Sequence, residues 1–242
     1  MQQPKLRIIA GPNGSGKSTF INDVLKNGYF YLHNYVNADD IQKELNETGA
    51  YSLNKFSIKT SKIDFQKFIT TSSFKEKIEG EIDGLLFFEN DLIRVRINNA
   101  SSYIAALIAD FVRNQLLENR LSFEFETVMS HESKIDFIKA AKEKGYKVYL
   151  YFLCTESPQI NKLNVRNRIK QGGHFVPEEV IENRYYKTLS LLKRAMDNSE
   201  VSYILQNNLT DFTSIYVIKN SEIVEQNEYI PNWFQHYYLD KL

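Results

Sequence analysis

The chain has 242 residues, enough for one α/β domain with an insertion or for two small domains. Apolar residues make up 43% and charged residues 25%, which supplies an ordinary buried core and excludes a globally disordered chain. Its 30 Lys and Arg balance 30 Asp and Glu, so net charge gives no reason to favour a long nucleic acid as partner, and the single cysteine excludes an intrachain disulfide and a multi-cysteine zinc site.

In chain order, KLRIIA (5–10) reads as a short buried strand, GPNGSGKS as a turn and KSTFINDVLKN as the first helix. Phe20, Ile21, Val24 and Leu25 share one face of that helix, and Asn27-Gly28 stops it. NYVNADD reads as a second short strand with a polar tip, continuing into a helix at DIQKEL. Residues 48–97 break the rhythm: they show several short strand candidates and no long helical pattern, and read as an insertion within a single domain spanning 1–242. SSYIAALIADFVRNQLLEN is then a long helix, LSFEFETV an alternating strand, and SHESKIDFIKAAKEKG a helix closed by Gly145. YKVYLYFLC is the most apolar strand, with Cys154 at its end read as a buried, inert thiol. PQINKLNVRNRIKQ and PEEVIENRYYKTLSLLKRAM are two more helices, separated by the turn GGHFV, in which His174 reads as a turn residue. A C-terminal extension, 200–242, holds the strand VSYILQ, a hairpin around Lys219-Asn220 and a short closing helix in NWFQHYYL.

Strands alternating with helices specify an α/β fold with a mainly parallel sheet flanked by helices. No segment reaches the roughly 18–20 apolar residues of a membrane span. The apolar run at the start is too short for a signal peptide, so the chain reads as cytosolic.

Gly11, Gly16, Lys17 and Ser18 fit G-x-x-x-x-G-K-[ST] between a strand and a helix. Glycines let backbone N–H groups turn around phosphate oxygens, and the helix N-terminus adds partial positive charge. The candidate nucleotide-binding set is Gly11, Pro12, Asn13, Gly14, Ser15, Gly16, Lys17, Ser18 and Thr19. Lys17 is suited to the β- and γ-phosphates, and the Ser18 hydroxyl to Mg²⁺. An LSGGQ-like stretch and a guanine-reading NKxD run are both absent, which argues against a transporter ATPase and a GTPase. No acid ends YKVYLYFLC, which argues against a motor ATPase. Small-molecule kinases fit better.

Asp39 and Asp40 sit where YVN runs out, at the sheet edge where ligands lie in open α/β folds. One could accept the proton of an attacking hydroxyl, or the pair could cap the helix that follows. Glu124 and Glu126 alternate and so share a strand face. Glu126, beside Thr127 at the strand end, is the candidate to ligate metal or hold a substrate hydroxyl; an exposed edge strand is the plainer account. Arg166, Arg168 and Lys170, with Arg184 beyond the Gly172-Gly173 turn, form a basic cluster that a mobile lid could bring to a transferring phosphate. A solvated helix face would carry the same residues.

With GPNGSGKST, NADDI, SFEFETVMS, KGYKVYLYFL and RNRIKQGGHFVPEEVIENRYYKTL in this order, the chain resembles the zeta-toxin family of kinases over residues 5–45 and 98–197. The resemblance implies a P-loop kinase fold and transfer of the γ-phosphate of ATP, with Mg²⁺, to a hydroxyl of a small molecule, which in the best-known members of the family is the nucleotide sugar UDP-N-acetylglucosamine. It implies Asp39 as the base, Lys17 and Ser18 on phosphates and Mg²⁺, and Glu126 with Thr127 near metal and substrate. Asp40 would line the substrate side. Arg168 and Arg184 would be lid arginines, with Arg166 the rival of Arg168. Any antitoxin partner would be a separate protein, while the apolar run lengths argue against a membrane partner and the zero net charge against a nucleic acid. A polynucleotide 5′-hydroxyl kinase, an antibiotic kinase and a nucleotide-binding regulator without transfer chemistry are the competing readings.

Overall fold

The computed structural model describes residues 3–72, 78, 82–96, 99–173, 175–208 and 211–242. The chain divides into two compact units, Met1–Leu32 with Glu124–Leu242 and His33–Phe123.

The first unit opens with β1 (Lys5–Ala10) and α1 (Lys17–Asn27). The second unit holds β2 (Tyr35–Val36), α2 (Ala38–Thr48), β3 (Ala50–Ser52), α3 (Lys62–Thr71), α4 (Ile82–Leu85), β4 (Leu86–Glu89), β5 (Leu92–Val95) and α5 (Ser102–Glu118). The first unit resumes from Glu124, within β6 (Phe123–Thr127), and continues with α6 (Ser133–Glu143), β7 (Lys147–Cys154), α7 (Pro158–Lys170), α8 (Glu178–Ser190) and α9 (Leu192–Asp197). It ends with β8 (Val201–Asn207), β9 (Phe212–Lys219), β10 (Glu222–Gln226), α10 (Asn232–Tyr237) and a 3-10 turn, Leu239–Lys241.

In the first unit six strands lie side by side in the order β10-β9-β8-β7-β1-β6. β1 and β8 both run parallel to β7, whereas β9 pairs antiparallel with β8 and with β10. The register sets the two faces. Ile8 lies opposite Leu150, and Phe152 opposite Ile204, all of them buried. α10 adds Trp233, whose Nε1 donates to Gln206 Oε1 (2.8 Å) and whose ring lies 6.0 Å from that of Phe152. The alternate residues Arg7, Tyr149, Tyr151 and Tyr203 share the other face, with Tyr151 and Tyr203 stacked at 4.9 Å.

The second unit has its own three-stranded sheet, β3-β5-β4, all antiparallel, and an aromatic core. Phe65 of α3 packs against Phe111 of α5 (5.0 Å) and Phe88 of β4 (6.0 Å). α2 packs along α5.

Three details depart from the sequence reading. Region 48–97 contains a ten-residue helix, α3, started by a capping box in which the Ser61 side chain accepts from Asp64 N and the Asp64 carboxylate from Ser61 N. The expected single helix after Pro177 breaks at Leu191, whose N–H donates to Thr188 O, a tighter i→i−3 turn, leaving α9 as a separate element. The C-terminal hairpin turns on Asn220-Ser221, one residue later than read: both have positive φ (51° and 66°), and Lys219 pairs with Glu222. His174 lies outside the described residues. No helix among the described residues is long and apolar enough to cross a membrane.

Candidate active site

The loop between β1 and α1 is built as a phosphate cradle needs. Gly16 holds φ at 90°, a left-handed value, and a Cβ there would lie 2.4 Å from Asn207 Nδ2. A Cβ on Gly14 (φ 77°) would lie 2.4 Å from the Asn161 carbonyl of α7. Glycine alone satisfies both the backbone and the space. Lys17 is buried, and its ammonium donates to the carbonyls of Gly11 (2.8 Å) and Pro12 (3.0 Å), so its charge is held over the loop it serves. Pro12 is buried and Asn13 half-buried, while Ser18 and Thr19 are exposed on the first turn of α1.

The adjacent strand β6 brings in Glu126. Ser18 Oγ donates to its carboxylate at 3.2 and 3.3 Å, which joins the two hard oxygen ligands expected for Mg²⁺ from positions 108 residues apart. The next residue, Thr127, joins the loop by its backbone: its carbonyl accepts from Gly11 N (3.2 Å). Its hydroxyl accepts from the N–H of Met129 (3.1 Å), a buried residue held at φ 56°. Glu124, on the same strand face, is fully buried and accepts from Arg7 of β1 at 2.7 Å. Of the two acids read from the strand, one is thus taken up by the interior and one meets the loop.

The basic cluster resolves into separate environments. Arg166 is exposed, and its Nε and Nη2 both donate to Glu178 of α8, the former at 2.8 Å. Arg168, half-buried, lies on the last turn of α7, where the N–H of Gly173 donates to its carbonyl (2.9 Å). Arg184 is half-buried, with Nη1 3.4 Å from Asn13 Oδ1 of the loop.

Asp39 and Asp40 occupy the first turn of α2 in the second unit, both exposed. Neither caps the helix. The cap is Asn37, whose Oδ1 accepts from Asp39 N at 2.9 Å, so the capping account of the two acids is replaced by their placement inside the first turn, just after the cap. The carboxyl of Asp40 is raised above its ordinary range, by loss of solvation first and by neighbouring Asp39 second, against the lowering pull of Lys55 and Lys43. Among the described residues no group of three or more His, Cys, Asp or Glu is placed to hold a metal by itself.

Sequence reasoning passed over a set of asparagines. Asn161 Nδ2 donates to Asn13 O (2.5 Å), Asn164 Nδ2 to Gly14 O (2.9 Å) and Asn207 Nδ2 to Ser15 O (3.0 Å). Asn161 also accepts from the Thr155 hydroxyl, and Thr155 O accepts from Tyr185 Oη (2.9 Å). The available signal was NKLN: two carboxamides at i, i+3 on one side of a helix whose opposite side is charged.

A strand, a glycine-rich loop closed on a lysine, a helix and a mainly parallel sheet define a P-loop fold of the kinase type. The chain belongs to the Zeta toxin family, whose model matches residues 89–221. An uncharacterized protein of Haemophilus influenzae is 29% identical over 104 residues, 41% of this chain and 74% of that protein. Among solved structures, a chain of the native AvrRxo1-ORF1:-ORF2 complex is similar with a TM-score of 0.58 at 16% identity, over 93% of this chain. This chain spans 62% of that longer one. A chain from the PezAT chromosomal toxin–antitoxin system of Streptococcus pneumoniae is similar with a TM-score of 0.53 at 14% identity, over 99% of this chain and 80% of that one. At these identities the likeness establishes the fold.

Proposed function

We propose that this protein is an ATP-dependent kinase that moves the γ-phosphate of ATP to a hydroxyl of a small molecule, a nucleotide sugar such as UDP-N-acetylglucosamine. The observation that carries the reading is the Lys17–loop contact together with the Ser18–Glu126 contact: a cation and a pair of oxygen ligands at the mouth of one phosphate cradle. A related complex, AvrRxo1-ORF1:AvrRxo1-ORF2, has been solved with ATP, which supports ATP as the donor.

Ser18 and Glu126 fit Mg²⁺, an ion that keeps several waters and needs one or two protein oxygens beside the phosphates. When bound, the ion would offset negative charge on the β- and γ-phosphate oxygens. Lys17 would bind the same phosphates. Asp39 would take the proton from the acceptor hydroxyl as its oxygen bonds to the γ-phosphorus, the bond to the β-phosphate oxygen breaks, and ADP leaves. Arg184 and Arg168 would meet charge developing on the transferring group. Asp40 and Thr127 are assigned to the substrate side. A separate antitoxin protein is the proposed partner, a reading supported by the toxin–antitoxin pairing of PezAT.

The test is transfer from γ-labelled ATP, with Mg²⁺, to UDP-N-acetylglucosamine, other nucleotide sugars and a short oligonucleotide. Label in the nucleotide sugar, lost in Asp39→Asn, is the expected result. Label in the oligonucleotide alone would overturn the substrate class, and ATP binding without label in any acceptor would overturn the transfer chemistry.

A further inference from the structure

We infer that Asn161, Asn164 and Asn207 form a carboxamide clamp that fixes the phosphate loop from outside and so sets affinity for the phosphate chain. The inference rests on the kinase reading above. The three amides meet three successive carbonyls, those of Asn13, Gly14 and Ser15. They come from two separate elements, α7 and β8.

A loop that turns its N–H groups toward an anion must turn carbonyls the other way. Here those carbonyls meet protein: Ser15 is fully buried, and Asn161 (0% exposed) and Asn207 (8%) are buried with it. A buried carbonyl without a donor is costly, so the loop shape needs donors at these three places. Carboxamides supply them without charge. A Lys or Arg there would satisfy the same carbonyls but would also draw the anion to the wrong side of the loop.

There is a second consequence. Each peptide whose carbonyl accepts a hydrogen bond has its own N–H, on the following residue, polarised as a better donor. The engaged peptides are 13–14, 14–15 and 15–16; the Ser15 N–H already donates to Pro12 O (3.2 Å), so the N–H groups of Gly14 and Gly16 are the strengthened donors left for an anion. The asparagines are positioning residues that act through the backbone and touch no substrate. Asn164 is the cleanest probe, being half-buried, whereas Asn161 also serves Thr155.

The experiment is calorimetric binding of ATP and of inorganic tripolyphosphate, with Mg²⁺, to wild type, Asn164→Leu and Asn207→Leu, alongside their thermal unfolding. Losing one such hydrogen bond should weaken ATP roughly 3- to 10-fold. Tripolyphosphate should weaken by the same factor, because the clamp acts on phosphate recognition alone; Tm should fall by roughly 2–12 °C, least for half-buried Asn164 and most for buried Asn207, with each variant still folded at the assay temperature. Asn164→Ser removes the amide with the smallest change in packing and takes the place of a leucine variant that does not fold. Folded variants that bind both ligands as wild type does would overturn the clamp, and so would a loss confined to ATP. A wild-type protein that binds neither ligand would overturn the kinase reading and the clamp with it.

Discussion

The two acids of β6 give the sharpest test of how the site is built, because they share a strand face and should fail in opposite ways. Glu124 is fully buried against Arg7, whose side chain is 10% exposed, at 2.7 Å. The guanidinium also lies over the rings of Phe30 (4.7 Å) and Tyr149 (5.6 Å). Glu124→Gln removes one charge of a desolvated pair and strands the other, a change that costs about 3–5 kcal/mol. For a chain of this size that is a fall in Tm of roughly 6–20 °C. Glu126 is half-exposed and accepts from Ser18 at 3.2 and 3.3 Å, so Glu126→Gln should move stability by less than about 1 kcal/mol. On the proposed role of Glu126 beside Mg²⁺, Glu126→Gln should instead weaken Mg²⁺-dependent ATP binding. Urea unfolding and calorimetric ATP titration, each with and without Mg²⁺, read the two effects separately. Arg7→Met with Glu124→Leu should recover most of the stability lost by either change alone, since a buried pair can be replaced by apolar residues at little cost. The reasoning is refuted if Glu126→Gln unfolds as readily as Glu124→Gln, or if Glu124→Gln keeps its stability and loses Mg²⁺-dependent binding.

Lys17→Ala should lose tight ATP binding while the fold is kept, checked by calorimetry and circular dichroism. Asp40→Asn should raise Tm at pH 7. The carboxyl of Asp40 is raised in the folded state, so between its ordinary value near 3.8 and that raised value the folded chain holds the proton more tightly and stability falls as pH climbs. The gain from Asp40→Asn should shrink as pH is lowered toward 3.8 and vanish below it; a gain that grows in acid would contradict the shift. Cys154 is fully buried and its thiol is pushed up to about 12, chiefly by burial, so the native protein should resist thiol reagents and react only when unfolded.

Much of this was legible in the chain because it is local. The loop, Gly28 and Gly145 as helix stops, and the apolar strand β7 each follow from a few adjacent residues. What was not legible depends on neighbours far apart in sequence. Arg7 reads as one polar residue in KLRIIA, and nothing nearby reveals that it meets Glu124, 117 residues on. The asparagines read as ordinary polar helix and strand residues until the fold sets them against the loop. The α3 helix was a different kind of miss: the S-x-x-D of Ser61 and Asp64, with Phe65, Phe68 and Ile69 at helical spacing, was present in the sequence and was outweighed by its β-branched and polar neighbours.

The placement of α7 also separates Arg168, proposed for the transferring phosphate, from its rival Arg166. At 100° per residue, Asn161, Asn164 and Arg168 stand at i, i+3 and i+7, within one stripe of the helix, whereas Arg166 at i+5 is turned well away from it. The stripe is fixed, because Asn161 and Asn164 both touch the loop. Arg166 faces Glu178 instead, exposed and ion-paired. An exposed pair of this kind contributes little to stability, so Arg166→Ala should leave Tm and turnover close to wild type. Arg168→Ala should lower kcat more than it raises the KM for ATP, as removal of a group that acts mainly in the transition state does. If Arg166→Ala were the more damaging of the two, α7 would have to turn about its axis during transfer. The asparagine contacts would then have to break in each cycle, and a disulfide or crosslink pinning α7 to the loop would abolish turnover instead of leaving it intact.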